Sequence, residues 1–259
     1  MALRINNLIS DVTGFPVFAG GGPRLLGFAT PDEIGVENGN LSSFPWGVWG
    51  LDGNDTIGGS SDSNERLLGN NGNDVIGGAG GNDIIYGGKD NDRLDGNEAN
   101  DVVRGDAGND IIFGGFGNDL LRGGQGDDDL EGNEDNDFLV GDRGVDVLTG
   151  GSGADICVLR SNEEFGVNAA DVITDFRFDE GDRIGLTDGL TELDLLFTDD
   201  NLIAYDNDGI VNDMVILNRR NGQIVGVVLN ADSFELAGAF EQASPFALGI
   251  NGSQFQFLA

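Results

Sequence analysis

Asp74, Asp83, Asp92, Asp101, Asp110, Asp119, Asp128, Asp137, Asp146 and Asp155 stand at a strict nine-residue spacing through the middle of this 259-residue chain. Five residues before each is a glycine, from Gly69 and Gly78 to Gly141 and Gly150, and two residues after each is a large apolar residue, from Ile76 and Ile85 to Leu148 and finally Cys157. The template is G-G-x-G-x-D-x-U-x, with U apolar. A unit this short cannot bury its single U residue alone, so it is stable only when stacked on neighbours, and the chain is constrained to a solenoid. A disordered tract of the same composition would not hold aspartate, glycine and aliphatic residues in one phase for ten units.

Each unit divides into a turn of six residues and a strand of three. Glycines at the first, second and fourth positions allow the turn to curl through positive φ, and period-two alternation in x-U-x sends U to one side. Two nonapeptides turning in opposite directions close one rung of eighteen residues, and rungs stack about 4.8 Å apart. Aspartates eighteen residues apart then lie above one another, Asp74 with Asp92, Asp83 with Asp101, and so on to Asp137 with Asp155. Two such charges repel by about 3 kcal/mol even at an effective dielectric of 20, so the stack demands a cation. Carboxylate and carbonyl oxygens suit calcium. Magnesium prefers an octahedron rich in water, and a chain with no histidine and one cysteine offers little to zinc, iron or copper.

These residues resemble the RTX, or hemolysin-type, calcium-binding nonapeptide repeats of secreted bacterial proteins, and GGFGNDLLR at 114 to 122 matches throughout. The resemblance covers residues 50 to about 158. It implies an all-β fold, a parallel β-roll solenoid in which calcium ions lie between the loops of successive turns. The implied ligands are the ten aspartates and Asp55, with carbonyls from fourth-position residues Gly72, Gly81, Gly108, Gly117, Gly126, Gly144 and Gly153. Asp90, Ala99 and Asp135 replace glycine at that position, and alanine tolerates left-handed φ less willingly than aspartate. Nineteen residues separate Asp55 from Asp74, so SSDSNERLL (60 to 68) is expected to carry a bulge, with Glu65 in the aspartate's place and a poorer or missing site. Asp119 is expected to serve two calcium loops and the terminal Asp155 one. ADVITDFRFDEGDRIGL (170 to 186) looks like the segment that ends the roll in many such proteins, including cyanobacterial ones, and offers Asp171, Asp175, Asp179 and Asp182 either as further ligands or as solvated acidic turns.

A balance of 46 acidic against 13 basic residues gives a net charge of -33, which argues against nucleic acid or anionic membrane as partner. Such self-repulsion opposes compaction. Where calcium binds only the folded roll, its binding free energy becomes folding free energy, and the chain is expected to be loose at sub-micromolar and folded at millimolar calcium. The start MALRINNLISDVTGF has no apolar run suited to a signal peptide, and no stretch is long enough to span a bilayer. The resemblance implies an extracellular protein exported by the type I secretion machinery through its carboxyl terminus, with which the tail PFALGINGSQFQFLA is compatible. Cys157, at a U position, is expected to be a buried core thiol.

The chain divides into residues 1–49, a strand-and-turn cap with four prolines and both tryptophans, the roll at 50–158, and a β-rich carboxyl-terminal cap with the secretion signal at 159–259. Trp46 and Trp49 are expected to plug the first open rung. In the last region LDLLF (193 to 197), NLIAY (201 to 205), MVILN (214 to 218) and QIVGVVL (223 to 229) read as strands, with a hairpin turn at Asn221 and Gly222, and DSFELAGAF (232 to 240) as a short helix. DNDGIVND (206 to 213) is not an EF-hand loop, because Ala204 and Val215 fall on ligand positions. Ile84, Val102, Leu120, Phe138 and Ile156 form an apolar file on one outer face, expected to be covered by a terminal segment or a second copy. Without histidine, the histidine-dependent nucleophile and zinc-protease arrangements are excluded, and the reading is a non-enzymatic calcium-binding protein with a structural or surface and matrix role. The alternatives are an adhesion or ice-binding solenoid with an asparagine file at the fifth position, and a fragment associated with a secreted toxin or hydrolase.

Overall fold

A computed structural model describes residues 4–5, 25–26, 30–35, 47–159, 170–187, 194–199, 213–219, 224–229 and 240–242. Odd and even units of the repeat go to different sheets, because each six-residue strand is followed by a turn that reverses the chain. Sheet A stacks Thr56–Gly58, Val75–Gly77, Arg93–Glu98, Ile111–Phe116, Asp129–Glu134 and Val147–Ser152. Sheet B stacks Val48–Asp52, Arg66–Asn71, Ile84–Lys89, Val102–Ala107, Leu120–Gln125, Phe138–Arg143 and Ile156–Leu159. All neighbours within these two runs are parallel; the first pair in each sheet is offset by nineteen residues, Ile57 opposite Ile76 and Val48 opposite Leu67, and the rest by eighteen, as in Val103 opposite Leu121 and Ile112 opposite Leu130. The architecture is the all-β parallel roll expected.

The strands are longer than the three residues the motif suggests. From Arg93 to Ser152 each spans six residues, x-U-x followed by the first three positions of the next unit, and the turn shrinks to the fourth, fifth and sixth. The first-position glycine makes this possible, because with no side chain it fits inside the roll while its backbone stays in the ladder. Inside, aspartate, U and glycine alternate with outward residues. Ile76, Ile85, Leu94, Val103, Ile112, Leu121, Leu130, Leu139 and Leu148 are at most 1 % exposed, each contributing roughly 1.5–3 kcal/mol of burial.

The same alternation corrects the expectation for the tryptophans. In Val48–Asp52 the inward residues are Val48 and Gly50, while Trp49 points outward and is half-buried. Val48, fully buried, fills the core at this rung; Trp46 lies outside the described residues.

Both sheets continue past the repeat. Glu33–Gly35 and Leu25–Leu26 add parallel strands before Thr56–Gly58 and Val48–Asp52, and Arg4–Ile5 closes sheet A antiparallel. Beyond residue 158, Asp171–Ile173 and Arg183–Leu186 continue the parallel stacks, followed by Ile224–Val228 and Phe240–Gln242. Met214–Asn218 pairs antiparallel with Ile224–Val228 and with Leu195–Asp199, as their strand patterns suggest. Phe240, the last residue of the expected helix, is in a strand. The segment 201 to 205, the turn at 221 and 222, and residues 232 to 239 lie outside the described residues.

On the outer face of sheet B, Val102 is 3 % exposed and Ile84, Leu120, Phe138 and Ile156 are half-buried; next to them Val140 and Val158 are fully buried. Ala99, at a fourth position, is held at φ 82. A left-handed alanine costs about 1–2 kcal/mol, against which glycine's extra unfolded-state entropy is set. Ala99→Gly is therefore expected to raise stability in saturating calcium by about 0.5 kcal/mol, read from denaturant melts.

Candidate metal sites

Every aspartate of the ladder lies inside the roll beside the U residue of its unit, at most 3 % exposed. One carboxylate oxygen is committed to holding the stack. The backbone N–H of each aspartate donates to Oδ1 of the aspartate one rung on, as in Asp74 to Asp92 (2.8 Å), Asp92 to Asp110 (2.8 Å), Asp101 to Asp119 (2.7 Å) and Asp119 to Asp137 (2.8 Å). Two such ladders run along the two edges.

The other oxygen is the anomaly. Oδ2 of Asp55, Asp74, Asp83, Asp92, Asp101, Asp110, Asp119, Asp128, Asp137 and Asp155 is buried and accepts no hydrogen bond. Asp146 occupies the same place in the ladder and accepts from Asp128 at 2.9 Å. A buried carboxylate oxygen without a partner costs several kcal/mol, and ten of them in register do not survive in a folded protein uncompensated.

Each orphaned oxygen faces a cradle left by a glycine. A methyl group placed on Gly114 would collide with Oδ2 of Asp119 and sit 2.7 Å from the carbonyl oxygen of Gly132. The same pair recurs at Gly96, beside Asp101 and 2.6 Å from the Gly114 carbonyl, and at Gly105, beside Asp110 and 2.8 Å from the Gly123 carbonyl. Among the described residues no three acidic, histidine or cysteine side chains converge, so these cradles are made of carboxylates and backbone oxygens. That donor set is hard, anionic and oxygen-only, and it fits calcium.

The first-position carbonyls beside Oδ2 are donors that the motif did not single out. Fourth-position carbonyls run along the stack: those of Gly108 and Gly126 point at the Cα of Gly126 and Gly144 in the next turn, and those of Asp90, Ala99 and Asp135 at Gly108, Gly117 and Gly153. Gly72, Gly81, Gly108, Gly117, Gly126, Gly144 and Gly153 all have φ between 104 and 144, where the approaching carbonyl leaves no room for a side chain.

Burial pushes the carboxyls of Asp83, Asp92, Asp101, Asp128 and Asp137 up to about 8, those of Asp74 and Asp119 to about 7, and those of Asp110 and Asp155 to about 6. The N–H bonded to Oδ1 opposes the shift, and neighbouring carboxylates add to it. A buried carboxyl that resists ionisation is a site lacking positive charge.

A family model decides what that charge is. The RTX calcium-binding nonapeptide repeat matches four times, at residues 60–94, 86–121, 95–130 and 122–157. Residues 60–157 are RTX calcium-binding repeats. Comparison of the whole chain with curated proteins gives no match. The RTX ladder extends beyond the matched units at both ends. Asp32 N–H donates to Asp55 Oδ1 at 2.7 Å, and Asp55 N–H to Asp74 Oδ1 at 2.7 Å. At the other end Asp146 N–H donates to Asp171 Oδ1 (3.2 Å) and Asp155 N–H to Asp182 Oδ1 (3.0 Å), so Asp155 is not terminal. Asp182 Oδ2 is taken by the N–H of Arg177 at 2.6 Å, and Asp175 accepts from the N–H groups of Gly150 and Gly151. Asp32 falls outside the nine-residue period because it is 23 residues from Asp55; its one signal in the sequence is the D-x-I of Asp32 and Ile34.

Glu65 closes one RTX turn differently. Its N–H joins the ladder through Asp83 Oδ1 (2.6 Å), but Oε1 accepts from the hydroxyls of Ser60 (2.9 Å) and Ser63 (2.5 Å), and Oε2 from the N–H of Ser60 (2.9 Å). The extra residue in this turn brings two serines where other turns have glycine, and the carboxylate is satisfied without metal. Replacing Ser60 and Ser63 together by alanine is expected to cost about 2 kcal/mol, the desolvation of a stripped carboxylate, without changing the calcium count in equilibrium dialysis.

The fifth-position asparagines form a second ladder. Asn91, Asn109 and Asn118 donate backbone N–H groups to Oδ1 of Asn73, Asn91 and Asn100, at 2.9 to 3.2 Å. Their regularity in the sequence is explained by turn stacking.

Proposed function

We propose that the chain is a secreted, extracellular calcium-binding protein whose roll folds as calcium enters the cradles, and that it serves a structural or surface and matrix role without catalysing a reaction. The observation that carries this reading is the row of orphaned Oδ2 atoms, because such a row is compatible with folding only when cations fill it. Within each site we assign one ligand to the Oδ2 of a ladder aspartate and others to backbone carbonyls. Millimolar extracellular calcium would then switch on folding after export of a loose chain by the type I machinery. Among the described residues no helix is long and apolar enough to cross a membrane.

The experiment is a calcium titration followed by far-ultraviolet dichroism and equilibrium dialysis. Expected are a cooperative gain of sheet signal and the uptake of several ions per chain in the millimolar range or below. A sheet signal independent of calcium, or uptake of fewer than two ions, overturns the proposal. An ice-binding reading requires asparagine side chains presented to solvent, and the commitment of their Oδ1 atoms to the next turn weighs against it; a thermal hysteresis assay separates the two.

A further inference from the structure

The two outer faces of the roll carry opposite charge. Sheet B, over the five strands from Arg66–Asn71 to Phe138–Arg143, carries Arg66, Lys89, Arg104, Arg122 and Arg143 against Asp106 and Asp142. These are five of the chain's 13 basic residues. Sheet A, over the five strands from Val75–Gly77 to Val147–Ser152, carries Asp95, Glu98, Asp129, Glu131 and Glu134 against Arg93. One face is net positive by three and the other net negative by four.

On sheet B the basic groups are held in place. Arg104 pairs with Asp106 at 2.7 Å and Arg122 with Asp142, while Arg66 and Arg104 both lie over the ring of Tyr86, at 5.3 and 5.5 Å. Between them runs a groove of about 430 Å³ bordered by Lys89, Arg104, Arg122 and Arg143, adjoining a smaller one of about 140 Å³ at Arg66 and Tyr86. The Nε of Arg104 is buried and donates to nothing.

On sheet A an apolar rung lies between two acidic ones. Register places Phe113 between Asp95 and Glu131, and Phe116 between Glu98 and Glu134. Phe116 is 55 % exposed, and on the same face Val75 and Ile111 are 47 % and 40 % exposed. Arg93 stands between Val75 and Ile111, whereas Phe116 is an exposed ring flanked by carboxylates, and such a group marks a surface that takes a partner.

We propose that the outer face of sheet A of one copy packs on the outer face of sheet B of the next, setting Glu98, Glu131 and Glu134 against Lys89, Arg104 and Arg122 and covering Phe116. Both faces repeat at the same interstrand spacing, about 4.8 Å, so a charge matched at one rung is matched at the next. The two patches differ and lie on opposite sides of the roll, so the contact is heterologous and does not close: it builds open strings of rolls. This deepens the structural role proposed above and rests on the calcium-folded state.

Sedimentation velocity of the full chain in saturating calcium tests it. The weight-average sedimentation coefficient is expected to climb with concentration without a plateau at dimer, and association to weaken about tenfold or more when salt rises from low to molar strength. Arg104→Glu with Arg122→Glu is expected to be monomeric alone, as is Glu131→Arg with Glu134→Arg. Mixed one to one, the two variants are expected to associate again, because the intact sheet A of one meets the intact sheet B of the other and the two reversed faces are also opposite in charge. A wild-type chain that stays monomeric at every concentration overturns the proposal. So does a sheet A variant that still self-associates, which would mean that sheet B packs on itself. Calcium-induced dichroism is followed on every sample, and a variant that loses it is replaced by the corresponding glutamine pair. Absence of the dichroic change in the wild type strikes the calcium-folding reading instead.

Discussion

Excess chelator at neutral pH is expected to abolish the sheet dichroism of this chain and its resistance to proteolysis. A single cation at a hundred times its dissociation constant contributes about 2.7 kcal/mol, and several such sites together exceed the roughly 5–15 kcal/mol that stabilises a whole domain. What remains after chelation is a file of buried carboxyls about 4.8 Å apart, which at neutral pH either repel as ions at about 3 kcal/mol per neighbour or take up protons that free aspartates would not hold. Burial of the U residues cannot offset this, because the same rungs that bury Leu121 and Ile112 also bury Asp119 and Asp110. The sign of the pH dependence follows from the raised carboxyls. A group whose folded pKa is raised, as for Asp92, Asp101 and Asp137 at about 8, contributes stability that is present below its ordinary value of 3.8 and lost as pH rises through the folded value. The chelated chain should therefore recover sheet signal on acidification from pH 8 toward pH 4, while calcium affinity falls over the same interval as protons compete. Sheet signal that survives chelator at neutral pH, or that is indifferent to acid, would contradict both halves.

How far the fold was legible depended on whether a residue kept the nine-residue phase. U positions, the ladder aspartates and the pairing of units eighteen apart are fixed by period alone, since a slip of one residue would expose Leu94 and Leu130 and bury Arg93 and Asp129. The strand length was not legible, because a glycine at the first position reads as a turn former, yet Gly96 and Gly114 lie within strands with their faces turned to the carboxylates. The reach of the ladder was legible in part: Asp171 and Asp182 stood out as further ligands or acidic turns, and Asp32 did not. The three occupy ladder positions across spacings of 23, 25 and 27 residues, where extra residues are inserted between strands that still stack. Such an insertion destroys the sequence period and leaves the spatial one intact. The outward positions carried a different signal. The apolar file at Ile84 to Ile156 was visible as a file, but the segregation of basic side chains to sheet B and acidic ones to sheet A appears only when alternate units are assigned to separate sheets.

Gly114→Val is expected to be among the most damaging single substitutions in the chain. The side chain would enter the cradle shared by Asp119 Oδ2 and the Gly132 carbonyl, 2.7 Å from that oxygen at its first carbon, in an interior with no slack. Overpacking of this kind costs about 1–3 kcal/mol, and loss of one bound cation adds about 2.7 kcal/mol at a hundredfold excess over its dissociation constant. Gln125→Ala, exposed on the outside of sheet B, should stay within about 0.5 kcal/mol of the parent. Asp119→Ala provides the complementary lesion. It removes the carboxylate and leaves the cradle open, whereas Gly114→Val keeps the carboxylate and fills the cradle. If Oδ2 and the first-position carbonyl belong to one site, both variants lose calcium in equilibrium dialysis and both melt earlier in saturating calcium. Full calcium uptake by Gly114→Val, with loss only in Asp119→Ala, would instead place the ion toward the fourth-position carbonyls, such as that of Gly117, and away from the glycine cradle.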